Sequence, residues 1–126
     1  MQIQGLDHVQ LAIPADQEAR ARWFYAEVLG LAEIAKPAQL AARGGCWFAG
    51  PGVALHLGVE DDFRPARKAH PALRVSDLEA CRAELVAAGV AIVPDDTVPQ
   101  VRRFYAADPF GNRIEFIQEG DRFPEG

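Results

Sequence analysis

The fold is decided by two short stretches of sequence that each occur twice. The first is DHVQLAI at residues 7–13, which has a counterpart, AHPALRV, at residues 69–75. The second is VALHL at residues 53–57, which has a counterpart, RIEFI, at residues 113–117. A helix-like segment separates the first stretch from the second in both copies. The chain is therefore predicted to contain one structural unit written twice.

The histidines of the chain fall on matching positions of this repeat. His8 corresponds to His70, and His56 corresponds to Glu115. His56 follows His8 by 48 residues, and Glu115 follows His70 by 45. A chance scatter of three histidines would seldom produce this agreement. Imidazole and carboxylate groups are common ligands of divalent transition metals, so the pattern predicts a metal site.

Length and composition narrow the class of protein. A chain of 126 residues suits one domain, or two small modules that share a core. A formal charge of −5 provides no basic surface, which argues against nucleic acid and acidic membranes as partners. Cys46 and Cys81 form no C-x-x-C pair, and no leader or membrane-spanning run is evident. We therefore expect a soluble cytoplasmic protein.

Hydrophobic periodicity predicts an α+β fold of two βαβββ modules within a single domain. Module one covers about residues 4–59, and module two covers about residues 69–118. A charged connector at about 60–68 joins them, and a polar tail follows at 119–126.

Each module is predicted to place one helix between its first and second strands. In module one the helix is expected to run from a cap at Asp16 to about Leu29, ending at Gly30. In module two, Ser76 is expected to open the helix as a capping box, and Gly89 to close it. The strands are predicted at about 6–13, 32–36, 44–49, 53–59, 70–75, 90–93, 101–107 and 112–118.

Three motifs resemble the vicinal oxygen chelate superfamily. They are DHV at residues 7–9, FYAEVLGL at 24–31 and FYAADPFGNRIE at 104–115. This superfamily includes glyoxalase I, methylmalonyl-CoA epimerase, extradiol dioxygenases, fosfomycin-resistance proteins and bleomycin-binding proteins. The resemblance covers residues 4–118. It implies paired βαβββ modules whose curled mixed sheets form an open cavity, with a divalent metal bound on the first and last strands of the modules.

The resemblance also implies a ligand set. His8, His70 and Glu115 fall on the usual two-histidine, one-carboxylate positions of the superfamily. His56 falls on the fourth position, where glyoxalase I usually has a carboxylate and the epimerase a glutamine. The implied cofactor is a divalent transition metal, Fe, Mn, Ni, Co or Zn, with positions left open for two neighbouring substrate oxygens.

Further candidates share strand faces with these ligands. The two-residue period of a strand places Gln10 with His8, and Arg74 with His70. Arg103 shares a face of the penultimate strand with Tyr105. We expect the two arginines and Gln10 to bind substrate.

Proton transfer is expected from the metal-site residues and one tyrosine. The catalytic candidates are Glu115, His56 and Tyr105, the last as a donor to developing oxyanion charge. The role of His56 is left open: it is either a metal ligand or an acid or base beside the metal. Five aromatic residues are expected in the core instead: Trp23, Phe24, Trp47, Phe48 and Phe116.

These observations favour a metal-dependent enzyme acting on a small oxygenated metabolite, by glyoxalase-like lyase or isomerase chemistry or by oxygen insertion. A metal-free protein of the bleomycin-resistance type, which sequesters a small molecule, is the alternative. A structural or regulatory module is a third reading. A homodimer is expected because sheet edges remain open for a partner.

Overall fold

The computed structural model describes residues 1–124, so the last two residues of the predicted tail lie outside the described residues. The chain divides into two compact units, which we call unit 1 (Met1–Pro65) and unit 2 (from Ala66 onward). The boundary lies within the predicted connector at 60–68. Each unit contains a four-stranded mixed sheet with βαβββ order, which confirms the predicted α+β class.

Unit 1 contains a sheet in the strand order β1-β4-β3-β2. Its strands are β1 (Val9–Ile13), β2 (Ala32–Ile34), β3 (Cys46–Gly50) and β4 (Val53–Val59). Strands β1 and β4 pair in parallel, and the other pairs are antiparallel. The fourth strand has the predicted bounds. The first begins three residues later than predicted, so His8 lies immediately before it.

The helix of unit 1 differs from its prediction. An α-helix, α1, covers Glu18–Arg22 and continues as a π-helix over Trp23–Val28. The predicted cap at Asp16 is wrong, because this residue adopts φ 63° in the preceding turn and the helix begins after it without a side-chain cap. Within the π-helix, the Leu29 amide donates to the carbonyl of Phe24 five residues earlier, at 2.9 Å.

A 3₁₀ helix over Ala38–Arg43 lies where no element was predicted. Two glycines with positive φ, Gly44 and Gly45, follow it and lead into β3. Gly45 packs so closely on β4 that a Cβ atom there would lie 2.0 Å from the carbonyl oxygen of Leu57. The 3₁₀ helix is thereby held against the sheet near His56.

Unit 2 repeats the arrangement with the strand order β5-β8-β7-β6. Its elements are β5 (Ala72–Val75), α2 (Leu78–Ala87), β6 (Val93–Pro94), β7 (Arg103–Ala107) and β8 (Arg113–Gln118). Strands β5 and β8 pair in parallel, and the remaining pairs are antiparallel.

Helix α2 is capped one residue later than predicted. The carboxylate of Asp77, not the hydroxyl of Ser76, accepts from a helix amide, that of Ala80 at 3.1 Å. The amide of Leu78 is satisfied by the side-chain oxygen of Gln118 on β8, at 2.9 Å. Because the strand supplies this acceptor, no serine cap is needed.

Each sheet buries one face against its helix. In unit 1 the most enclosed side chains are Ile13, Phe24, Tyr25, Phe48, Leu55 and Leu57. In unit 2 they are Leu85, Val101, Phe104, Ile114 and Phe116. Two predicted core aromatics are not in these cores: Trp23 is 40% exposed, and Trp47 is half-buried on the opposite face of its sheet. No helix within residues 1–124 is long and apolar enough to cross a membrane.

The DPFGN loop between β7 and β8 has a structural role. One carboxylate oxygen of Asp108 accepts from the amides of Phe110 and Asn112, both at 2.9 Å. The side-chain oxygen of Asn112 accepts from the amide of Ala66 at 2.9 Å. The loop thus fixes the start of unit 2 beside β8.

Candidate functional site

The strand register confirms that the two units place their candidate ligands alike. In unit 1, His56 on β4 lies opposite the residue that follows His8 by two positions. In unit 2, Glu115 on β8 lies opposite the residue that follows His70 by two positions. The correspondence read from the sequence therefore holds in the parallel strand pair of each sheet.

In unit 1 the candidate ligands belong to a stack of three rings. The rings of His8 and His56 lie 4.0 Å apart with 20° between their planes. Trp47 on β3 stacks on the other side of His56, at 3.7 Å and 2°. His56 is consequently 7% exposed, between an indole and an imidazole.

Both imidazoles of unit 1 are suited to donate a lone pair. The Nδ1 atom of His8 lies 2.7 Å from the carboxylate of Asp7, and in the tautomer in which Nδ1–H donates to this carboxylate, Nε2 carries the lone pair. Carboxylates commonly orient metal-binding histidines in this way. Burial is the largest cause that lowers the pKa of His56, and the electrostatic interaction with His8 lowers it further. His56 is therefore held in the neutral form.

In unit 2 the candidate ligands contact each other directly. The Nε2 atom of His70 lies 2.9 Å from Oε1 of Glu115. Its Nδ1 atom lies 2.8 Å from the backbone carbonyl oxygen of Lys68. Both ring nitrogens thus face acceptors. A neutral imidazole carries one proton, so both contacts are completed by a second proton, on the ring or on Glu115, or by a cation in place of the Nε2 proton.

Arg103 holds the second oxygen of Glu115. Its Nη1 atom donates to Oε2 of Glu115 at 3.4 Å and to the hydroxyl of Tyr105 at 2.9 Å. Its Nη2 atom lies 3.1 Å from the carboxylate of Asp95. The guanidinium is largely buried between two carboxylates, and its predicted role in substrate binding stays a prediction. Asp95 was not identified from the sequence.

Tyr105 lies in the centre of this cluster, opposite Glu115 in the β7–β8 pair. Its ring meets His70 edge-on at 5.3 Å, and the guanidinium of Arg113 lies 4.6 Å from the ring centre. Because its oxygen accepts from Arg103, its own proton remains available to donate.

The two remaining candidates lie on the expected faces. Gln10 is opposite His56 in the β1–β4 pair. Arg74 is exposed and shares the face of Glu115, since Arg74 pairs with Ile117 and Ala72 pairs with Glu115 in the β5–β8 register.

A cavity of about 270 Å³ lies beside the ring stack of unit 1. Side chains from β1, β3 and the 3₁₀ segment surround it together with residues 57–59 of β4. Those side chains are Gln10, Lys36, Leu40, Arg43 and Trp47. Sequence reasoning missed Lys36 and Arg43, although a signal was present: Lys36 immediately precedes the unassigned segment 37–43, and Arg43 is its last residue.

The donor chemistry suits a transition metal, but each unit supplies two candidate donors rather than a full set. Within neither unit do three His, Cys, Asp or Glu side chains of residues 1–124 converge as a metal cluster requires. The donors are nevertheless of the kinds preferred by Fe, Mn, Ni, Co or Zn: two imidazoles in unit 1, and an imidazole and a carboxylate in unit 2.

Comparison with known proteins decides the family. The family model of the Glyoxalase/Bleomycin resistance protein/Dioxygenase superfamily matches residues 5–116. The chain belongs to this superfamily. The resemblance carried by the DHV, FYAEVLGL and FYAADPFGNRIE motifs is thereby confirmed.

Several solved structures of other proteins have the same fold as this chain. A Bacillus anthracis protein described as belonging to the glyoxalase family is 47% identical, with a TM-score of 0.91 over 97% of this chain and 98% of that one. TnmS3, an antibiotic binding protein from Streptomyces sp. CB03234, is 28% identical, with a TM-score of 0.66 over 92% and 98%. FosX, a fosfomycin resistance protein from Listeria monocytogenes, is 17% identical and shares the fold, with a TM-score of 0.73 over 93% and 94%. No curated protein matches the chain.

Proposed function

We propose that this protein is a divalent-metal-dependent enzyme that acts on a small oxygenated metabolite. The observation that carries the proposal is the repetition of a donor pair at one position of the sheet, His8 with His56 and His70 with Glu115. We assign all four side chains as ligands of Fe, Mn, Ni, Co or Zn. Membership of the superfamily supports the assignment.

Two local contacts support a metal at these residues. The carboxylate of Asp7 orients His8 as outer groups orient metal-binding histidines. Both ring nitrogens of His70 face oxygen acceptors, and a cation in place of the Nε2 proton is compatible with both contacts. Arg103 donates to Oε2 of Glu115, while Oε1 faces Nε2 of His70, the other proposed ligand of this unit.

The reaction class we propose is lyase, isomerase or dioxygenase chemistry on a substrate with two neighbouring oxygens. A bound metal supplies a Lewis acid for such a substrate. Glu115 and His56 are the proposed proton-transfer groups. Tyr105 donates its proton to oxygen charge that develops during the reaction, since Arg103 occupies its acceptor side. Gln10 and Arg74 are proposed to contact the substrate.

Elemental analysis tests the proposal. Protein purified without an affinity tag and without air should contain about one transition metal per chain. Glu115→Ala should lose this metal while remaining folded. The matched control is Glu119→Ala, which removes an exposed carboxylate immediately after the same strand and should retain the metal. Full metal content in Glu115→Ala would reject the ligand assignment.

A metal-free binding protein is the second candidate function. The 28% identical relative TnmS3 is described as an antibiotic binding protein. In addition, Glu115 already has polar partners, His70 and Arg103, on both of its oxygens. This candidate predicts no metal in the purified protein, none after reconstitution, and unchanged small-molecule binding in the presence of a chelator.

We also propose that the protein is a homodimer. Apolar side chains are exposed on edge strands of both sheets: Ile34 on β2 is 40% exposed, and Val93 on β6 is 56% exposed. Open edges of this kind invite a partner strand or a covering surface. Sedimentation equilibrium should give twice the chain mass, whereas a monomer at all concentrations would refute the dimer.

A further inference from the structure

The cavity of unit 1 carries a positive charge in an acidic protein. Lys36 and Arg43 line it, none of its lining residues is acidic, and the chain as a whole has a formal charge of −5. A positively charged cavity attracts anions. The negative net charge of the chain would not predict this preference.

Both cations retain the capacity to bind a ligand. Arg43 is exposed and has no hydrogen-bond or ion-pair partner among residues 1–124. Lys36 donates one hydrogen bond, to the carbonyl oxygen of Gly44, which leaves two of its three protons. The nearby carboxylate of Glu18 accepts from the amide of Gly45 at 2.8 Å.

The remaining walls suit an apolar or planar group. Trp47 lines the cavity and also stacks on His56, while Leu40 of the 3₁₀ helix adds an apolar contact. The volume of about 270 Å³ falls just below the roughly 300–1,000 Å³ typical of small-molecule pockets. The cavity therefore fits a small acid with a short apolar or ring body.

The cavity lies next to the histidine pair. Trp47 borders both, and the charge of Lys36 is among the causes that lower the pKa of His56. From these observations we propose that the cavity is an anion subsite, in which Lys36 and Arg43 bind the carboxylate, phosphate or phosphonate group of a small molecule whose body lies on Trp47. Its use in orienting a substrate beside His56 rests on the proposed function.

The test is a titration of metal-free protein followed by the fluorescence of Trp47. Trp23, the other of the two tryptophans, is replaced by Phe so that Trp47 is the single reporter. The probes are benzoate, phenylphosphonate and the neutral benzyl alcohol. We expect saturable binding of an anion and none of the alcohol. Tighter binding of benzoate would identify a carboxylate as the preferred group, and tighter binding of phenylphosphonate would identify a phosphorus oxyanion.

Charge variants locate the binding. Lys36→Met and Arg43→Met should each weaken the bound anion about tenfold, because each removes a charge-assisted contact. Lys36→Arg should retain most of the affinity. The matched control is Arg64→Met, which removes an exposed cation of unit 1 outside the cavity lining and should leave the affinity unchanged. Equal affinities in all variants, equally tight binding of the alcohol, or no saturable binding would overturn the proposal.

The outcomes separate this proposal from the metal assignment. Anion binding that persists in metal-free protein and in Glu115→Ala supports the subsite even if elemental analysis finds no metal. A metal content of about one per chain with no anion binding rejects the subsite and leaves the proposed function intact.

Discussion

The two units have the same βαβββ arrangement, and His56 of unit 1 matches Glu115 of unit 2. The side chains around these two residues differ in chemistry. In unit 1, His56 lies in an aromatic stack and is held neutral by burial. In unit 2, Glu115 lies at the same position in an ionic network with His70 and Arg103. The backbone repeat thus fixes where a donor lies, while its neighbours determine the charge it carries.

A second difference concerns the segments beside the sheets. Unit 1 places a 3₁₀ helix, Ala38–Arg43, ahead of β3 and so forms the cationic cavity. Unit 2 brings an acidic side chain, Asp95, to Arg103 ahead of β7. One unit therefore offers positive charge to a ligand, and the other neutralises its arginine internally.

The largest expected loss of stability comes from a substitution next to the 3₁₀ helix, the segment that distinguishes unit 1. Gly45→Ala should cost roughly 4 kcal/mol or more, because its Cβ would lie 2.0 Å from the carbonyl oxygen of Leu57 and φ is 80°. Gly52→Ala, at φ 72° with open space around it, should cost only about 1–2 kcal/mol. Urea unfolding measures both, and similar losses would show that the close approach does not limit this segment.

The ionic network of unit 2 should give the next largest effect. Arg103→Met should lower the free energy of unfolding by about 3 kcal/mol, because it leaves the buried carboxylate of Glu115 without its cation. The neighbouring Arg102 pairs with Asp121 at the surface, and Arg102→Met should lower the free energy of unfolding far less, because solvent screens an exposed ion pair. Urea denaturation at neutral pH compares the two, and equal losses would contradict a buried network.

The helix cap of unit 2 provides a smaller test. Asp77→Ala should cost about 1 kcal/mol, since it removes the acceptor of the Ala80 amide. Ser76→Ala should change stability by no more than about 0.5 kcal/mol, because the Gln118 side chain satisfies the neighbouring amide. A larger loss in the serine variant would restore the predicted capping box.

The histidine stack of unit 1 should produce a pH effect. Because burial lowers the folded-state pKa of His56 below the value of about 6.5 for an exposed imidazole, the unfolded chain takes up this proton first. His56 therefore reduces stability as pH falls below about 6.5 and adds no pH dependence above it. In the presence of a chelator, His56→Phe should lose stability less steeply than the native protein between about pH 7 and 5. Parallel thermal-unfolding curves would argue against the shift.

Much of the fold could be predicted because strand periodicity and glycine positions are local signals. β4 has its predicted bounds, and the other strands fall near theirs. The π-helix at Trp23–Val28 was not predicted, because hydrophobic spacing does not distinguish one wider turn from an ordinary α-helix; Phe24 and Tyr25 within it are fully buried. The cap at Asp77 was missed because the acceptor for the next amide comes from a distant strand, β8.

The candidate site was predictable where the repeat carries it. The matching of His8 with His70 and of His56 with Glu115 follows from sequence spacing, and the strand register agrees. The partners that set their chemistry are brought by other elements. Trp47 was expected in the core, and Asp95 was not considered, because contacts between strands are not readable from one strand at a time.

The measurement that tests the central claim most directly is a Co(II) titration of the native protein, His8→Ala and His70→Ala, followed by visible absorption. The claim is that His8, His56, His70 and Glu115 are metal ligands. It predicts about one Co(II) ion bound per chain, with the characteristic absorption lost in either variant. Full binding and an unchanged spectrum in His8→Ala would contradict it, because the histidine pair of unit 1 would then take no part.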